Sequence, residues 1–286
     1  MRKKVLKILF IMLLLSSIGC MKFALQLSPS LFPNLAVSFF EECDTELAKS
    51  SMPANLKMLE GLLKNDPDNR EILSTLSMGF CGYSMLFIEG DSTERASELY
   101  LRARNYGIDA LGFKKNDLND MGPENFKLLL KNIGRRDLEA LLWTAISWNA
   151  WINLNLDKPI ALAQISLSQA CLERLIEIDA DYQHGLPYIL MGISLSARPK
   201  MFGGEPDKAR YYFEEALEVS DRKFFLAQYY YARYYSVMVQ DRDLFYNLLE
   251  EIINGDPGEL KELCLINSVV YDKAKELKGM VDDFFI

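Results

Sequence analysis

Residues 172–217 read L-E-R-L-I-E-I-D-A-D-Y-Q-H-G-L-P-Y-I-L-M-G-I-S-L-S-A-R-P-K-M-F-G-G-E-P-D-K-A-R-Y-Y-F-E-E-A-L. The spacing predicts three helices. The first ends at Ile178 before an Asp-Ala-Asp turn. The second carries Leu186, Ile189, Leu190 and Ile193 at i, i+3, i+4 and i+7. Pro-Lys-Met-Phe-Gly-Gly breaks it. The third opens at Glu205-Pro206, where a proline in the first turn loses no hydrogen bond. Ala209, Phe213 and Ala216 then line one face. Small, large and small residues at that spacing let two helices approach closely around one ring.

The same pattern occurs 113 residues earlier without a gap. Ala96, Tyr100 and Ala103 answer Ala209, Phe213 and Ala216, Gly79 answers Gly192, and Leu59 answers Leu172. Each copy exceeds the usual 34-residue tetratricopeptide (TPR) unit by the same seven residues before the helix-B alanine. The expected fold is therefore all-α, a TPR-like helical-repeat array of stacked antiparallel helix pairs, with units at about 52–111 and 165–220.

Working outward, residues 20–35 read as a linker after Cys20, and 36–286 as one domain. Helices are expected at about 36–50, 53–64 and 69–88. A further helix is capped by Asp91-Ser92-Thr93-Glu94. Residues 112–122 form a loop, Pro123 opens a short helix, and Asp137 caps the next. Pro159 opens the helix into the second unit, and later helices run about 222–238, 241–254 and 259–277.

Residues 1–19 hold Arg2, Lys3, Lys4 and Lys7, no acids, and an apolar run too short to span a bilayer. They read as a secretory signal peptide ending in Ser17-Ile18-Gly19-Cys20, a lipobox-like sequence. Cys20 is then the lipidated residue, holding the protein at the membrane through its acyl chains. Met21, in place of the Asp that favours inner-membrane retention, points to the outer membrane. The net charge of −8 becomes −12 once the signal peptide is removed, which argues against a nucleic-acid partner. Cys43, Cys81, Cys171 and Cys264 form no C-x-x-C pair and read as buried thiols, although a periplasm permits disulfides.

No catalytic motif stands out. His184 is the one histidine and reads as structural, Gly203-Gly204 lacks the residues of a P-loop, and neither enzyme activity nor a cofactor is expected. Trp143, Trp148 and Trp151 sit on one helix, Trp148 and Trp151 on one face and Trp143 about 140° from Trp148. They serve core packing or an aromatic-lined cavity. Arg102 and Arg104 flank Ala103 and serve surface ion pairs or a ligand carboxylate. If a ligand is handled, Arg104, Trp148 and Tyr188 are expected to share a cavity between the units, with Arg102 and Trp151 beside them.

Several stretches together resemble one family, the T component of tripartite ATP-independent periplasmic (TRAP) transporters. They are 99–111, L-L-W-T-A-I-S-W-N-A-W-I-N-L at 141–154, 172–185, 199–217, the Asp243-Leu244-Phe245 helix and the C-terminal L-I-N-S-V-V-Y-D-K-A-K-E-L. The resemblance implies a TPR-like lipoprotein that associates with the transporter's substrate-binding P component, a homo-oligomer (a trimer in one member) with a pore through each protomer. It also implies organic acids as the usual cargo. Where the family often has a His after G-x-x, this chain has Tyr188. The alternative reading is a TPR lipoprotein serving as an envelope assembly scaffold. A cell-wall hydrolase on a helical solenoid needs a cleft glutamate that the sequence does not single out.

Overall fold

The computed structural model describes residues 31–113, 118 and 121–285. The expected signal peptide, the expected lipidation site Cys20 and most of the loop expected at 112–122 lie outside the described residues. Every regular element described is helical. In chain order these are α1 (Leu31–Phe40), α2 (Thr45–Leu63), α3 (Arg70–Tyr83), α4 (Thr93–Ala110) and α5 (Pro123–Leu130). Next come α6 (Leu138–Asn153), α7 (Pro159–Leu162), α8 (Ile165–Asp179), α9 (Tyr182–Ser196) and α10 (Pro206–Val219). The chain ends with α11 (Phe225–Tyr230), α12 (Arg242–Asn254) and α13 (Cys264–Gly279). Two π-helical turns extend α-helices: Ser84–Ile88 continues α3 and Tyr231–Ser236 continues α11.

Local chemistry sets the helix starts. Asp44 Oδ1 accepts from the N–H groups of Glu46 and Leu47, Asn69 Oδ1 from Ile72, and Asp241 Oδ1 from Leu244. The cap of α4 is Ser92, one residue after the expected Asp91; its hydroxyl accepts from Arg95 N. Asp137 stands at the N-cap of α6 but makes no capping bond, because its carboxylate is held by Arg70 at 3.1 Å.

The expected break before Pro53 is absent. α2 runs through the proline, since Ala48, Met52, Leu56 and Leu59 are all buried on one face and that burial outweighs one lost backbone bond. α1 also begins inside the segment read as linker. The right-handed part of α9 starts only at Leu186, after Gln183, His184 and Gly185 at φ of 49°, 59° and 77°. At Gly185 the φ of 77° favours glycine, and a Cβ there would sit close to Val219, at 3.3 Å.

The two repeat pairs, α3 with α4 and α9 with α10, form the most extensive helix contacts. Ala96, Tyr100, Ala103, Ala209, Phe213 and Ala216 are fully buried at those contacts. Gly192 lies under the Phe213 ring, 2.9 Å from where a Cβ would stand. The run Arg70–Ile88 is long and apolar enough to cross a bilayer, but 78% of its window is buried inside the protein, which marks it as a core element.

The array curves until its ends meet: α13 packs on α1 and α2. There the expectation of four thiols is corrected. Cys43, between α1 and α2, is joined to Cys264 at the start of α13 by a disulfide, with Cα atoms 5.1 Å apart. The contact of chain beginning with chain end supplies the proximity that 221 residues of sequence separation conceal. Cys81 and Cys171 are buried free thiols, and burial pushes both well above the usual thiol range.

Candidate functional site: a central cavity between the repeat units

Because the array closes on itself, the inner faces of α3, α4, α6, α9 and α11 surround a cavity of about 290 Å³ between the two units. Its apolar wall comes from α9 and α11, through Leu186, Leu190, Ile193 and Leu226. Its polar wall comes from the residues at the two π turns. Glu89 follows the first; Tyr230, Arg233 and Tyr234 belong to or adjoin the second. A π turn holds one residue more than the α-helical turn it replaces and re-aims the side chains beside it, and such turns cluster at functional sites.

The electrostatics of this wall centre on Glu89. The Tyr100 hydroxyl donates to its carboxylate, and among the described residues no cation lies within ion-pair distance of it. Burial first, and the Glu89 charge second, push the hydroxyls of Tyr100, Tyr230 and Tyr234 well above the usual phenol range. The Lys273 ammonium, drawn down by burial, donates at 2.8 Å to the Met85 carbonyl in the first π turn. Arg233 lies over the Phe284 ring, 4.6 Å from its centroid.

On α6, Asn149 donates to Ala145 O and accepts from Arg198 Nη2 at 2.7 Å; burial pulls the Arg198 guanidinium down to about 10. One turn further, Asn153 lines the same cavity, and its Oδ1 is buried without a hydrogen-bond partner among the described residues.

The family profile of the TRAP transporter T-component matches residues 41–285, nearly all of the described chain. The chain belongs to the TRAP transporter T-component family. An uncharacterized protein of Treponema pallidum (strain Nichols) is 24% identical over 270 residues, spanning 87% of this chain and 82% of the relative. The family gives this T-component an accessory role in a TRAP transporter, at the periplasmic side of the envelope.

The expected site residues divide. Arg104 and Trp148 come together: Arg104 Nη1 and Trp148 Nε1 both donate to Gln164 Oε1 at 2.8 Å. The guanidinium also lies over the rings of Trp148 and Trp151, at 5.3 and 5.6 Å. Arg104, Trp148 and Gln164 line a separate cavity of about 430 Å³ between α4, α6 and α8. Burial draws Arg104 down to about 10, and its Nε has no partner among the described residues. Tyr188 does not join them. It packs on Tyr212, with ring centroids 6.1 Å apart, and lines neither cavity. Arg102 is engaged at the surface, paired with Glu60 and lying over the Phe80 ring.

The tryptophan that reaches the central cavity of this T-component is Trp143, set apart on the helix as its 140° offset requires. Sequence reasoning missed Glu89, Asn153, Tyr230, Arg233 and Tyr234. One signal was present: 229–235 reads Y-Y-Y-A-R-Y-Y, with five tyrosines and an arginine in seven residues.

Proposed function

We propose that this T-component is lipid-anchored through Cys20, binds the P component of its transporter, and passes a small organic solute through the central cavity. The observation that carries this reading is the cavity itself. A scaffold needs only its outer surfaces, whereas a solute handler needs an enclosed, mostly apolar space with a few polar groups. A second, apolar cavity of about 50 Å³ beneath α1 shares Met85, Trp143 and Ile266 with it, so the two spaces adjoin. The Arg104–Trp148–Trp151 cluster is assigned a second contact, for an acidic group of the solute. A homo-oligomer, a trimer by family resemblance, is expected from light scattering.

The deciding experiment fills the cavity. Ala150, half-buried in its wall, is replaced in Ala150→Phe. Uptake of a panel of labelled organic acids and amino acids by whole cells is expected to fall, while calorimetric binding of the purified P component is unchanged. Unchanged uptake with intact P-component binding leaves the scaffold reading in its place. For the anchor, Cys20→Ser is expected to move the protein from the membrane to the soluble periplasmic fraction.

A further inference from the structure

We propose that the central cavity selects a zwitterion with an apolar body: a primary ammonium held between Glu89 and Asn153, and a carboxylate held at Arg233. This rests on the reading that the cavity takes solute. The polar groups on its wall are unequal in what they lack. The Glu89 carboxylate receives one hydrogen bond, from Tyr100, and has no cation within 4.0 Å among the described residues. Lys273 feels its charge but spends its own ammonium on the Met85 carbonyl. Asn153 Oδ1 is an acceptor with no donor among the described residues. Two acceptor residues lining one cavity, one of them charged, ask for a group that is both a cation and a multiple donor. An ammonium is such a group, with three N–H bonds to give.

The surrounding rings suit it too. Tyr230 and Tyr234 stand 5.7 Å apart on the same wall, and aromatic faces attract cations. Arg233 supplies the opposite pole. Its guanidinium rests on the Phe284 ring with no carboxylate within 4.0 Å among the described residues, leaving its donor edges for a ligand acid. Apolar side chains, among them Ile146, Leu186, Leu190, Ile193 and Leu226, make up most of the remaining wall, so the body between the poles is hydrocarbon.

The experiment uses the mature chain with its disulfide intact. Trp143, in the cavity wall, reports binding by fluorescence. The probes are leucine, 4-methylpentanoate, 3-methylbutylamine and 4-methylpentanol, which share a branched hydrocarbon body and differ in their poles. Leucine is expected to bind at least about tenfold more tightly than 4-methylpentanoate, the scale of one lost charge-assisted contact. Glu89→Gln, which still accepts from Tyr100, is expected to abolish that preference. Asn153→Asp, which adds a charge at the second acceptor, is expected to raise the affinity for 3-methylbutylamine. If 4-methylpentanoate binds as tightly as leucine, the ammonium assignment is overturned while the cavity remains a solute site. If no probe binds, or Ala150→Phe binds all four as the native chain does, the proposal and the solute-handling reading fall together.

Discussion

Ala209 has no freedom to grow. It is fully buried where α9 and α10 meet, one turn from Phe213, whose ring fills the space left by Gly192. Ala209→Leu is expected to overpack the contact and cost roughly 1–3 kcal/mol in denaturant unfolding, with Ala96→Leu behaving alike in the first unit. The tyrosines give a second expectation at this scale. Burial raises the hydroxyls of Tyr100, Tyr229, Tyr230 and Tyr234, with Tyr229 pushed up to about 12. An unfolded chain releases those protons near pH 10. Above that pH the unfolded state binds fewer protons than the native one, so stability is full below about 10 and declines as pH rises towards 12. A phenolate absorbance titration is expected to show a fraction of tyrosines ionising near 10 and the rest only with unfolding. The buried alanines were legible because their spacing repeats. Glu89 was not, because a glutamate after an apolar helix reads as a surface residue until the closed array shows what it faces.

Among the elements, the π turns matter most for the site. In the first, the Met85 carbonyl is bonded by Lys273 from α13, 188 residues away. Lys273→Met keeps the length of the side chain and removes the donor. It is expected to cost about 1–3 kcal/mol, as for other hydrogen bonds to charged groups, and to loosen amide exchange protection around 84–88. Helices were readable wherever apolar residues returned at i, i+3 and i+4, as in α9 and α12. Boundaries failed where burial overrode a local signal: Pro53 sits inside α2 since four buried side chains hold the turn on either side of it. The π turns left no mark in the pattern, for one inserted residue shifts the stripe by only a fraction of a turn. The Arg104–Trp148–Trp151 cluster, by contrast, came from residues whose helix faces were computable in advance, and only its distance from Tyr188 required the fold.

The molecule as a whole is held shut by contacts between its first and last helices and by Cys43–Cys264. Cys43→Ser/Cys264→Ser is expected to lower stability by about 2–5 kcal/mol, since the bond closes a very long loop in the unfolded chain. Thermal unfolding with and without reductant checks this, and the double variant should be indifferent to reductant. The bond also decides how the protein bears load. A pull applied to the chain ahead of Cys43, against a grip on α13, would enter at Cys43 and leave at Cys264. The 221 residues of sequence separation between them hold roughly 750 Å of extensible backbone, and the covalent bridge carries the tension past all of it. Pulled from those two points, the protein would transmit force as a short rigid link, and both repeat units with the cavity between them would stay off the load path.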